Sequence, residues 1–254
     1  MKTLNNFILE RLECPKFSIL EHLECPKLSI LERLKLNKNT KLTKNDYVNL
    51  GLPSGTLWAT SNVGATCGST VESWYGDYFM WGDTTSATNK PCELKNYKYY
   101  NAGQIKKLIK YCPINKLNYW GGQGDPDNKL ELDIEDDIAN KNLGGKWHMP
   151  SKELMEELIN NTTYEWVTNY KGISDLNGSL LTSKKNDNTL FFPAGGYRVH
   201  NSFNQIDNCV YIWSSNYDDT TPTMANYLYA FYTSNRNRIN FAPRHYGMPI
   251  RGVL

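Results

Sequence analysis

Six cysteines (Cys14, Cys25, Cys67, Cys92, Cys112, Cys209) and four histidines (His22, His148, His200, His245) hold most of this chain's capacity for nucleophilic, redox or metal chemistry. No Cys-x-x-Cys pair occurs, so the grip of a zinc knuckle is missing. A Cys/His or Ser/His hydrolase needs a nucleophile beside an oriented base, and no histidine stands in a local motif of that kind. His148 lies inside Trp147-His-Met-Pro150 and reads as structural. His200 and His245 fall in expected surface loops, where each could touch a ligand. The acidic run Asp133-Ile-Glu-Asp-Asp137, preceded by Asp125 and Asp127, offers oxygen ligands for calcium but lacks EF-hand spacing. Acids at the start of a helix have a plainer use against the helix dipole. No cofactor or metal is expected.

The last forty residues suit recognition better than catalysis. Tyr211-Ile-Trp213-Ser-Ser215 opens them and Arg244-His-Tyr-Gly-Met-Pro-Ile-Arg251 nearly closes them. Between these anchors stand rigid aromatics and short polar groups, the types that binding surfaces favour. The expected ligand contacts are Tyr217, Asp218, Asp219, Asn226, Tyr229 and Tyr232, then Asn235, Arg236, Asn237, Arg238, Phe241 and His245.

Composition narrows the partners. The chain has 254 residues and a net charge of +2, with no long basic run, which gives no case for nucleic acid or an anionic membrane. Seven Trp and seventeen Tyr hint at interfaces as well as core. The first residues contain no apolar stretch of signal-peptide length, and no 18-residue apolar run occurs, so neither export by that route nor membrane insertion is expected. Reduced thiols follow from the same reading.

The elements that must position these residues begin at Asp46. Thr56–Thr60, Asp77–Trp81 and Thr189–Pro193 are β-prone runs punctuated by Gly and Pro turns. Ser151 predicts the cap of a helix whose apolar face is Leu154, Met155, Leu158 and Ile159. A weaker helix is expected over Ile134–Asn140, and 97–132 reads as a Lys/Asn-rich insertion. Trp58, Trp81, Trp147 and Trp213 read as core anchors, and Arg198, Arg244 and Arg251 as structural donors to carbonyls and Asp side chains.

Before Asp46 the texture differs. Residues 8–38 repeat with period eleven: Ile8-Leu9-x-x-Leu12, Ile19-Leu20-x-x-Leu23 and Ile30-Leu31-x-x-Leu34. Pro15 and Pro26 rule out one continuous helix, which leaves a string of single helical turns too short to stand alone. The nine Ile/Leu positions are expected to dock onto a partner, with 37–45 as linker. A leucine-rich-repeat fragment is the alternative architecture, but its minimum repeat of about 20 residues is longer.

Several motifs together carry a family resemblance. They are Tyr47-Val-Asn-Leu-Gly-Leu-Pro-Ser-Gly-Thr-Leu-Trp-Ala-Thr60, Asn62-Val-Gly-Ala65, Tyr75-Gly-Asp-Tyr-Phe-Met-Trp-Gly82, Leu132–Ala139, Gly145-Lys-Trp-His-Met-Pro-Ser151, Phe192-Pro-Ala-Gly-Gly-Tyr-Arg198 and Trp213-Ser-Ser215. In that order they resemble the "major paralogous domain" of gut bacteria and their phages. The likeness covers about 46–254 and not 1–45. It implies a C-type-lectin-like fold of the formylglycine-generating type, shared with the variable proteins of diversity-generating retroelements and phage tropism determinants. The family's usual ending, Gly-x-Ser-Val-Arg-Pro-Val, is here Gly247-Met-Pro-Ile-Arg-Gly-Val-Leu254.

The resulting expectation is an α+β, C-type-lectin-like domain at 46–254 with short twisted strands, one or two helices and long loops, preceded by the docking segment 1–45. Its function is non-enzymatic adhesion. As a fibre or decoration protein of a phage virion, it would bind a host cell-surface glycan or protein through its C-terminal loops and other virion proteins through 1–45. A homo-oligomer, a trimer among others, is compatible with this. The alternatives are a bacterial lectin-like interaction protein in the cytoplasm, or an oxidase or hydrolase of the same fold. The oxidase needs two close C-terminal cysteines, and Cys209 stands alone there.

Overall fold

The computed structural model describes residues 46–101, 107–234 and 236–254. They belong to the unit Lys41–Leu254. The expected docking positions Ile8 to Leu34 lie outside the described residues.

Two short strands, β1 (Tyr47–Asn49) and β2 (Leu57–Ala59), form an antiparallel hairpin. The end of the chain returns to it. Leu57 and Leu254 exchange backbone hydrogen bonds at 3.0 and 2.9 Å, and Val253 bridges both Trp58 and His148. The first helix, α1 (Glu72–Tyr75), is one turn. Asp77–Trp81, expected as a strand, is held by separate contacts instead: Phe79 bridges Met248, and the Trp81 amide donates to the Arg244 carbonyl.

The weaker predicted helix is displaced. Ile134–Asp136 is a single 3-10 turn, and the α-helix, α2 (Ile138–Leu143), starts only after Asp137. Asp137 decides this: its extended backbone breaks the helix, and its carboxylate caps the next one by accepting from the Asn140 amide at 3.1 Å. The strong helix is where the sequence puts it, as α3 (Lys152–Asn161). Ser151 caps it through the Leu154 amide, and Met155 and Leu158 are buried. At its other end the Thr162 hydroxyl donates to the Leu158 carbonyl, and the Asn161 side chain to that of Glu157, so side chains do the work of a C-cap glycine.

The remaining strands make three antiparallel groups. β3 (Thr162–Val167), β4 (Gly178–Ser183) and β5 (Thr189–Pro193) form one sheet in that order. A small hairpin pairs β6 (Tyr197–Val199) with β7 (Ser202–Asn204). Gly196 enters that hairpin at φ +60°, where a Cβ would strike the Asn204 carbonyl oxygen at 2.1 Å. The last sheet, in the order β10-β9-β8, comprises β8 (Cys209–Tyr217), β9 (Met224–Phe231) and β10 (Arg238–Pro243).

This last sheet divides the interior. Its register places Ile212, Leu228 and Ile239 in one cross-strand row and Trp213, Tyr227 and Asn240 in the next, on opposite faces. Ile212, Leu228, Val210 and Ala230 face a cluster with Met155, Leu158, Trp58 and Phe192. Trp213, Tyr227, Ala225 and Ala242 face a second cluster with Trp81, Tyr99, Tyr111 and Met149. The insertion 97–132 carries no strand among its described residues, yet it supplies Tyr97, Tyr99, Leu108 and Tyr111 to that second cluster.

Trp58, Trp81, Trp147 and Trp213 are all buried, as expected of core anchors. The three framework arginines are buried too. Arg251 donates to the Ala59 and Phe191 carbonyls and to the Asn62 side chain, Arg244 to the Tyr111 carbonyl, and Arg198 to that of Ala87. Their recorded partners are carbonyls and an amide oxygen, not the Asp side chains also expected. Burial pulls Arg251 down to about 9, which still leaves it charged at neutral pH. No helix among the described residues is long and apolar enough to cross a membrane.

Candidate binding face

One row of the last sheet carries Tyr211, Tyr229 and Arg238, and the next Trp213, Tyr227 and Asn240. Trp213 and Tyr227 are buried against the second cluster, whereas Tyr211 and Tyr229 are half-buried and Arg238 and Asn240 exposed. Two further tyrosines close in from outside the sheet, Tyr197 from β6 and Tyr246 from the turn after β10. Tyr197 lies 4.9 Å from Tyr211 and is stacked on Tyr246 at 5.5 Å. Tyr211 is stacked on Tyr227 at 5.1 Å and meets Tyr229 edge-on at 5.3 Å. Each such pair adds about 0.5–1.5 kcal/mol beyond its buried area, so the tyrosines hold one another in place.

Four of these phenols are held neutral by their surroundings. Burial raises Tyr211, Tyr227 and Tyr197, and raises Tyr229 to about 12, helped by the Cys209 thiol beside its hydroxyl. The face therefore offers flat rings and hydroxyls that both donate and accept, with the Arg238 guanidinium and the Asn240 amide at its margin. Such a surface can stack on a sugar ring or a peptide plane and hydrogen-bond its polar groups.

Of the residues expected from sequence, Tyr229 and Arg238 lie on this face. His245 is beside it, its ring 5.1 Å from that of Tyr246. Asp219, Tyr232, Arg236 and Phe241 are exposed elsewhere. Asn235 lies outside the described residues. Four expected contacts are interior and leave the candidate face. Tyr217, 3% exposed, packs its ring against Arg244 and Trp81. Asp218 accepts from the Thr220 hydroxyl and the Thr221 amide and so shapes the β8–β9 turn. Asn226 donates to the Tyr217 carbonyl at the irregularity in β8. Asn237, 2% exposed, accepts from Ser179 and ties the start of β10 to β4. Composition marks polar residues in a loop-rich stretch, but it does not tell a turn-former from a contact. Tyr197, Tyr211, Tyr246 and Asn240 lie on the candidate face and are not among the contacts expected from sequence. The period-two spacing of Tyr211 with Trp213 and of Tyr227 with Tyr229 was the available signal.

The groups with catalytic potential are otherwise engaged. Burial raises the Cys92, Cys112 and Cys209 thiols, which disfavours the nucleophilic thiolate. Among the described residues no group of three or more His, Cys, Asp or Glu could hold a metal ion. The acidic run raised as a calcium candidate is met by lysines: Lys110 reaches Asp133 and Asp136, Lys98 reaches Asp136, and Lys129 reaches Asp133. His200 stands 3.6 Å from Glu93 at the surface.

No protein family, curated protein or solved structure matches this chain.

Proposed function

We propose that this protein is a non-enzymatic recognition module and that the tyrosine face of β8, β9 and β10 is its contact surface. The observation that carries this reading is the continuous run Tyr246–Tyr197–Tyr211–Tyr229, half-buried and in ring-to-ring contact throughout, with Arg238 and Asn240 beside it. Half-buried aromatics give a ligand large contact area at small entropic cost, because their rotamers are already fixed. The raised thiols and lysine-paired carboxylates support binding over catalysis. The finer fold reading, a C-type-lectin-like domain, draws support from the ordered motifs and from the chain end pairing with β2. The proposed ligand is a glycan or protein on a bacterial host surface, and the proposed setting is a phage particle joined through 1–45.

The test is binding of the labelled full chain to intact gut-bacterial cells and to their isolated surface polysaccharides and proteins. Saturable binding with the ligand recovered chemically unchanged supports the reading. Absence of saturable binding across the panel, or turnover of the bound material, overturns it.

A further inference from the structure

The two edges of the last sheet differ. The outer edge of β8 is covered: Trp213 donates to the Pro249 carbonyl, Ser215 to that of Pro150, and Leu132 to that of Ser215. On β10 the Arg244 amide donates to the Thr223 carbonyl, in phase with the register Arg238↔Tyr229 to Pro243↔Met224. Even-numbered residues therefore bond to β9, and the backbone groups of Ile239 and Phe241 point away from it. Among the described residues neither outward amide has a backbone partner. Phe241 donates to the side chain of its own neighbour, Asn240, at 2.9 Å. Phe241 is 51% exposed. Unpaired edges of this kind are templates for a further strand.

We propose that β10 pairs antiparallel with β10 of a second copy of this chain, about a two-fold axis at Asn240. The sequence Ile239-Asn240-Phe241 is self-complementary in that register. Ile239 falls opposite the partner's Phe241, and the backbone groups of both point outward, so once the Phe241 amide leaves the Asn240 side chain each of the two equivalent pairs exchanges two hydrogen bonds. Their side chains share one face, which sets the exposed Phe241 ring beside an isoleucine. Arg238 falls opposite the partner's Ala242, so no like charges meet. Asn240 meets the partner's Asn240, and each amide can turn from the Phe241 backbone to the other. Pro243, lacking an amide hydrogen, ends the ladder. The axis stands perpendicular to the sheet, so both tyrosine faces look the same way and can act together on a repetitive surface. The joint itself does not depend on what those faces bind.

The test is sedimentation velocity of the full chain over a concentration series, with hydrogen exchange of the Ile239 and Phe241 amides. The expected result is a monomer–dimer equilibrium, concentration-dependent protection of both amides, and at least tenfold weaker dimerisation in Phe241→Glu. Tyr232→Glu, at a ring equally exposed elsewhere, should leave the equilibrium unchanged. A wild type monomeric throughout, an oligomer indifferent to Phe241→Glu, or both amides exchanging freely at every concentration overturns the proposal. Protection in a monomeric wild type only when other protein is added assigns the edge to a foreign strand and overturns it equally. The exchange measurement on wild type decides the matter even if the variant does not fold.

Discussion

The rings of Tyr197 and Tyr211 meet with their centroids 4.9 Å apart, although one sits in a three-residue hairpin strand and the other in a strand of nine residues. This contact joins the β6–β7 hairpin to the last sheet and completes the tyrosine face. It makes Tyr211 a structural and a surface residue at once. Tyr211→Ala is expected to cost about 2 kcal/mol, below the range for a fully buried aromatic because the ring is half-buried. Tyr211→Phe keeps the packing and should stay within about 0.5 kcal/mol of wild type, with chemical denaturation as the check.

Arg251 is the corresponding interior case. Its guanidinium satisfies the Ala59 and Phe191 carbonyls and the Asn62 side chain at 2.9–3.0 Å. Arg251→Met leaves those buried acceptors without a donor, each at about 1–3 kcal/mol, so a loss of at least about 3 kcal/mol is expected. Arg251→Lys should not recover it, because an ammonium cannot span three acceptors held by a planar fork. Thermal unfolding of both variants tests this.

His245 predicts a pH dependence. Burial, and then the neighbouring charge of His200, lowers it to about 4, and its Nδ1 atom is buried without a partner. The unfolded chain takes up that proton near the ordinary value of about 6.5. Between these values the unfolded state binds more protons, so this contribution is complete above about 6.5 and is lost as pH falls towards 4. His245→Phe should remove up to about 2 kcal/mol of that slope, allowing for solvent around a half-buried ring. Unfolding measured from pH 7 to 4 in both proteins checks it, and parallel curves would contradict it.

Asp136 acts lower on the pH scale. Desolvation works to raise it, but hydrogen bonds from Lys110, Tyr111, Tyr99 and Lys98 outweigh that and hold the carboxyl well below the ordinary range. The stabilisation is present above the unfolded value near 3.9 and fades as pH falls below it. Asp136→Asn should cost about 2 kcal/mol at neutral pH and loosen 97–132, which these bonds tie to the 3-10 turn before α2. Faster backbone exchange confined to that insertion is the expected signature.

Legibility in the sequence followed the range of the interactions. Ser151 and the spacing of Met155 and Leu158 predicted α3 because capping and helical periodicity are local. Asp137 looks in sequence like part of a helix, because its role as a cap depends on one dihedral pair and composition does not carry that. The tryptophan and arginine anchors were readable because so large an apolar ring, or a guanidinium among Gly and apolar neighbours, has few other uses. The proposed binding face was half-readable. Tyr229 and Arg238 are legible by residue type, while Tyr197 and Tyr246 come to the face only through folding that brings β6 and the turn after β10 together. Asn226 and Asn237 show the converse error, since their polar side chains serve buried backbone and side-chain partners.

The most direct measurement of the central claim is equilibrium binding to host-cell surface material by wild type and by Tyr229→Ser/Arg238→Ala, whose side chains sit opposite one another on the proposed face. Both variants' folds are monitored by circular dichroism, and Asn160→Ala on the exposed side of α3 serves as control. The account predicts at least a tenfold loss of affinity for the double variant, about 1.4 kcal/mol or more, with the control unchanged. Undiminished binding by a folded double variant would contradict it.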